Sequence, residues 1–97
     1  MARFVATIRF TAQGLAGIQE TTRRAAAFKT AAKKLGVKVI DQYWSLGSFD
    51  GLLIFEAPDS HAASAAMLDL AALGNVHTQT TEIFAAAEME SILRKMK

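Results

Sequence analysis

Six side chains in this 97-residue sequence are of types, and stand in places, that could support chemistry: Asp50, Tyr43, Trp44, Lys29, His77 and Arg9. Asp50 follows Gly47-Ser48, and a carboxylate just past a tight turn can orient a ligand, act as a base, or accept hydrogen bonds from the turn amides. The last is the ordinary role. Tyr43 and Trp44 precede the same turn and alternate in direction, so one points toward the helices and the other toward the opposite face. Core packing is the ordinary role for both. Tyr43, whose hydroxyl needs a partner if buried, is the better ligand contact of the two. At 100° per residue Lys29 falls inside the apolar arc of its helix, which implies partial burial. Its stem can lie on the core with the ammonium in water, or it can serve as a pocket cation that pairs with Asp50 or holds an anionic substrate. Arg9 faces away from the helices and has the choice between an interface salt bridge, the favoured reading, and a ligand clamp. His77 opens the fourth strand, either hydrogen-bonded there, the favoured reading, or acting as a proton shuttle or a haem or metal ligand.

Other chemistry is excluded by what the sequence lacks. It has no Cys, and His61 stands sixteen residues from His77 in no recognised metal spacing, so neither a metal nor a cofactor is expected. Ser45, Ser48, Ser60, Ser64 and Ser91 have no nucleophile-elbow setting, and no Gly-rich phosphate loop precedes a helix. Arg23, Arg24, Lys29, Lys33, Lys34 and Lys38 crowd the first helix, where a solvated basic face is the plain reading. The third strand, Phe-Asp-Gly-Leu-Leu-Ile-Phe-Glu-Ala, lacks the basic start of an RNA-stacking strand, and the net charge is only +2. No nucleic acid partner is expected. The amino terminus has no apolar signal segment, and no stretch reaches the length of a spanning helix, so neither secretion nor membrane insertion is expected. Absence of Cys suits a reducing compartment, and the cytoplasm is the expected location.

The elements that must position these residues follow from the hydrophobic pattern. Residues 3–10 place Phe4, Ile8 and Phe10 on one side of a strand. From Ala12 to Leu35 the positions Leu15, Ile18, Ala25, Phe28, Ala32 and Leu35 recur at helical spacing, with Gly14 and Gly17 the poorest helix formers and Gly36 as C-cap. Val37–Leu46 and Phe49–Ala57 form a hairpin around a two-residue Gly47-Ser48 turn. Asp59 or Ser60 caps a second helix through Ala63, Met67, Leu70 and Leu73 to Gly74. Asn75–Phe84 is a fourth strand at an edge, and Ala85–Lys97 a short amphipathic helix carrying Met89, Ile92 and Met96 on one side.

The expected fold is therefore α+β, a ferredoxin-like β-α-β-β-α-β in one domain over 1–97, with a four-stranded antiparallel sheet, two helices on one face and a short C-terminal helix. Strand three is apolar at both parities, with Phe49, Leu53 and Phe55 on one side and Leu52 and Ile54 on the other, so its helix-free face needs a cover. A second copy packed sheet to sheet is the simplest cover, and the tail helix folded under the sheet is the alternative.

Ala27-Phe28-Lys29, Lys34-Leu35-Gly36, Tyr43-Trp44-Ser45-Leu46-Gly47-Ser48-Phe49-Asp50, Glu56-Ala57-Pro58-Asp59 and Leu73-Gly74-Asn75-Val76 together resemble the GYD domain family over nearly the whole chain. The Gly-x-Tyr-Asp segment is matched by Gly47, Phe49 and Asp50, with Phe in place of Tyr and hence no phenolic hydroxyl there. The resemblance implies a fold of the dimeric α/β-barrel kind, a group that includes small monooxygenases, isomerases, haem proteins and stress-response proteins. Fold alone does not choose among them. The expected function is a homo-oligomeric domain that binds a small molecule or serves as an interaction or stress-related module. The alternative is a cofactor-independent isomerase or monooxygenase using Asp50, Tyr43, Lys29 and His77 around an apolar cavity, placed between the sheet and its cover.

Overall fold

Alternation of side chains builds the first strand and decides which of its faces is buried. In the computed structural model, which describes residues 1–96, β1 spans Ala2–Phe10 and buries Phe4, Ala6 and Ile8. Arg3, Val5, Thr7 and Arg9 point to the opposite face. β2 spans Lys38–Trp44, β3 Gly51–Ala57 and β4 Val76–Ile83, in the sheet order β2-β3-β1-β4 with every neighbouring pair antiparallel. The two most apolar strands thus lie in the centre, where the Phe4 and Phe55 rings stack at 5.3 Å. β4, rich in Thr, takes an edge as its composition predicts.

The segment predicted as one helix is broken. Thr11 caps α1, Ala12–Ala16, by accepting the Gly14 N–H at 3.0 Å. Gly17 ends it, a single 3-10 turn follows at Ile18–Glu20, and α2 resumes at Thr21–Lys33. The cause is close packing: α1 lies so tightly on the start of β4 that a Cβ on Gly14 would overlap the Asn75 carbonyl, whereas α2 must cross the sheet to bury Phe28 and Ala32. Gly36, at φ +75°, turns the chain out of α2. α3, Ser60–Ala72, is capped by Asp59, whose side chain accepts the Ala62 N–H at 2.9 Å, and it buries the small Ala63 and Ala66 beside Met67. Pairing of one apolar face of the sheet with these two helices makes the core, closed by Val37, Leu53 and Phe55.

The β2–β3 connection is longer than the two-residue turn expected. The ladder stops at Trp44 opposite Gly51, and residues 45–50 form a loop tied by Ser45 N–H to the Asp50 carbonyl at 2.9 Å and by Ser45 Oγ to the Phe49 carbonyl at 2.8 Å. Phe49, expected in the strand, lies in this loop, because Asp50 donates its backbone N–H to Ile8 of β1 at 2.7 Å. A register shift between Val39 and Asp41 resets the alternation of β2, so that Val39, Gln42 and Trp44 share the helix side while Asp41 and Tyr43 turn away.

The helix-free face carries Val5, Leu52 and Ile54, flanked by the cross-strand row Lys38, Glu56, Arg3. α4, Ala86–Arg94, has Glu88 accepting the Ala85 N–H at 3.0 Å and buries none of its residues. Lys97, counted in the tail helix by its sequence pattern, lies outside the described residues. The described chain measures 51 × 31 × 18 Å with a radius of gyration of 14.6 Å, above the ~13 Å of a compact domain of this size.

Candidate functional site

A small cavity, open to solvent at its mouth, lies between the sheet and its helices, at the end where α1, the β2–β3 loop and the α3–β4 connection meet. Ile8, Phe10 and Leu53 form its sheet side, Ala25 and Phe28 come from α2, and Leu70 and Leu73 from α3 and its C-terminal end. Space exists there because Gly51 places no side chain opposite Trp44, in a spot where a Cβ would stand 3.2 Å from the Tyr43 carbonyl and 3.6 Å from Ile8. Trp44 leans over this gap, with its indole N–H donating to Thr21 Oγ1 at the start of α2 at 2.9 Å.

Two opposite charges stand on the apolar wall. Asp50 is half-buried, and its Oδ2 accepts the Phe10 N–H at 2.9 Å, a backbone donor left over where the β1 ladder ends. Arg24, also half-buried, donates to the Gly17 carbonyl at 3.0 Å and the Gly14 carbonyl at 3.1 Å, which closes the exposed end of α1 and holds it to α2. The Gln42 and Asn75 amides add neutral polar groups to the lining. Asn75 Oδ1 accepts from Gln13 Nε2 at 2.9 Å, and the same Gln13 nitrogen donates to the Leu73 carbonyl at 2.9 Å. Thr11 Oγ1 donates to the Gly74 carbonyl at 2.6 Å, so the mouth is stitched from both sides. Together these groups can enclose an apolar body and meet a polar head.

Of the six residues singled out by type and spacing, Asp50, Tyr43 and Trp44 border this cavity. Trp44, rather than Tyr43, turns its ring toward the helices, because the irregularity in β2 sets the parity; Tyr43 is 56% exposed on the other face. Lys29 corrects an expectation: it is exposed and does not line the cavity. The buried arc of α2 is set by Phe28 and Ala32, and Lys29 falls just past its edge. Arg9 and His77 are cross-strand partners on the helix-free face, both exposed, and Arg9 donates to the Ser48 carbonyl at 3.2 Å. They do not meet Asp50 in one pocket, and the cavity lies on the helix side of the sheet, not between the sheet and a cover on its free face. Among the described residues no three His, Asp or Glu side chains come together as metal ligands.

Arg24, Gln42 and Asn75 are cavity residues that type and spacing do not single out. Arg24 merges with the basic face of the first helix, yet it stands four residues before Phe28 and so projects from the same side of α2. That spacing is the one available signal. Gln42 depends on the irregularity in β2, which leaves no mark in the residue types.

An α+β domain of ferredoxin-like order, with a lined cavity at one end of its sheet, is the class that fold and site define. Within that class the chain belongs to the GYD domain family, which it matches over residues 4–93. It is similar to a protein of Thermus thermophilus named glutamine synthetase and cystathionine beta-lyase binding protein, with 37% identity over 62 residues, 64% of this chain and 65% of that relative. The match thus spans just under two thirds of the relative's length. Among solved structures it resembles the crystal structure of MtbAldR, with a TM-score of 0.61 at 15% identity over 87% of this chain and 52% of the other, a likeness of fold. Among the described residues no helix is long and apolar enough to cross a membrane.

Proposed function

We propose that this chain is a single-domain, self-associating interaction module of the cytoplasm that docks on other proteins. The observation that carries this reading is α4: a helix with Met89, Ile92 and Leu93 along one side, none of them buried by the chain's own core. An amphipathic helix with an uncovered apolar stripe is a common means of docking into a groove on another protein. The partly exposed Val5, Leu52 and Ile54 on the helix-free face supply a second association surface, suited to another copy of the chain. The relative named for binding glutamine synthetase and cystathionine beta-lyase supports a protein partner, and those two enzymes of the same cell are the first to test.

Size-exclusion chromatography with light scattering, run on the chain alone and mixed with each enzyme, tests the reading. A mass above that of one 10.5 kDa chain and co-elution with an enzyme, lost in Ile92→Glu, are the expected results. A monomeric chain that leaves both enzymes unshifted at tens of micromolar would end it.

A second reading, small-molecule binding, is favoured by the cavity. Its charged groups are engaged with backbone, Asp50 with the Phe10 N–H and Arg24 with the Gly14 and Gly17 carbonyls, an arrangement that supports holding a ligand rather than converting it.

A further inference from the structure

The cavity is more specific than an apolar hole. Asp50 contributes a carboxylate with one oxygen engaged by the Phe10 N–H, and its Oδ1 has no protein donor among the described residues. Arg24 spends one N–H of each terminal nitrogen on carbonyls. A guanidinium has five N–H donors, so three remain. One negative and one positive group on the wall cancel, so a singly charged ligand would lose as much at one as it gained at the other. A ligand with both charges satisfies both. The rest of the lining, including Phe28, Leu70 and Trp44, asks for an apolar body.

We infer that the cavity binds a free α-amino acid with an apolar side chain, its ammonium group on Asp50, its carboxylate on Arg24, and its side chain under Trp44. This rests on the small-molecule reading above and names its ligand class. Because both charged residues are pinned by backbone contacts, the two poles are pre-positioned, and little ordering is required on binding. Arg24 also joins α1 to α2, so the ligand would sit on the contact that holds the helical break together.

Isothermal titration calorimetry of the whole chain with L-phenylalanine and L-leucine, and in parallel with phenethylamine and 3-phenylpropionate, tests the assignment. Trp44 is the chain's one tryptophan, so its fluorescence gives a second readout at the site itself. At least one amino acid should bind, and each truncated analogue, lacking one pole, should bind at least tenfold more weakly. Asp50→Asn should weaken the amino acid by tenfold or more. Because that change also touches the Phe10 contact, Ala25→Leu serves as the second variant: it fills the cavity from a helix position that leucine suits, and should abolish binding with the melting temperature of the free protein kept. Equal binding of amine or acid and amino acid, undiminished binding in Ala25→Leu, or no heat and no fluorescence change with either amino acid overturns the assignment. None of these outcomes bears on docking through α4, which chromatography with partner proteins reads separately.

Discussion

Glu56 is the residue whose ionisation the fold perturbs most clearly. Its carboxylate accepts from Arg3 Nη2 at 2.9 Å across the β1–β3 ladder, and this hydrogen bond, opposed by some desolvation and aided by the charges of Arg3, Lys38 and the amino terminus, lowers its pKa below 4.5. A carboxyl whose folded-state pKa is depressed contributes stability that is present above its unfolded pKa and is lost as pH falls through the folded value. The pair is open to solvent, so the contribution is small and screened by salt. In Arg3→Gln the largest cause is removed, and the Glu56 titration midpoint followed by NMR should move up toward 4.5. The acid limb of a stability–pH curve should flatten with it. A midpoint unchanged by the substitution would show that Lys38 and the amino terminus, not Arg3, set the value.

At the scale of elements, what can be read from residues is what local periodicity controls. The β-α-β-β-α-β element order, a cap at Asp59 or Ser60 and the edge position of β4 follow from alternation, capping chemistry and composition; the structure has the order and the edge strand, and it places the cap on Asp59. The break in the first helix, the six-residue β2–β3 loop and the parity of β2 do not. Each is decided by a partner distant in sequence: Asn75 against Gly14, Ile8 and Phe10 against Asp50, and Leu53 against Gln42. The cavity is assembled from those same irregularities, which is why Asp50 and Trp44 are visible as candidates and Arg24 and Gln42 are not. Gly14 tests this account. Its φ is not in the left-handed region, so a change to alanine should aid an isolated helix by about 0.5–1 kcal/mol. In the protein the added methyl meets the Asn75 carbonyl and must push α1 off β4, which should cost about 1–3 kcal/mol overall. Chemical denaturation reads the sign directly: Gly14→Ala more stable than the parent would mean that α1 is not seated on the α3–β4 connection.

At the scale of the whole molecule, the described residues make an elongated body, 51 × 31 × 18 Å, to whose core the last helix adds no buried residue. Met89, Ile92 and Leu93 of α4 are 44%, 38% and 50% exposed, so a partner can still remove a substantial part of their surface from water. Full burial of such a side chain is worth ~1.5–3 kcal/mol, and covering the half still open gives about 1 kcal/mol each before the cost of association is met. Three such residues are enough to matter and too few to hold two copies together unaided, so the Val5, Leu52 and Ile54 face should share the work. Two variants separate these contributions. Leu93→Glu loses apolar burial and forces an unpaired charge into any contact made by α4, so self-association measured by sedimentation should weaken about tenfold or more, the equivalent of ~1.4 kcal/mol. Because no residue of α4 is buried in its own chain, the helical circular dichroism and melting temperature of the dissociated protomer should stay close to those of the parent. Ile54→Lys, made on the sheet, should weaken association while lowering protomer stability as well, since Ile54 is already half-buried between Val5 and Asp41 in the ladder. If Leu93→Glu left the sedimentation profile unchanged while Ile54→Lys dissociated the assembly, the tail helix would be excluded from the contact between copies and left free for a different protein.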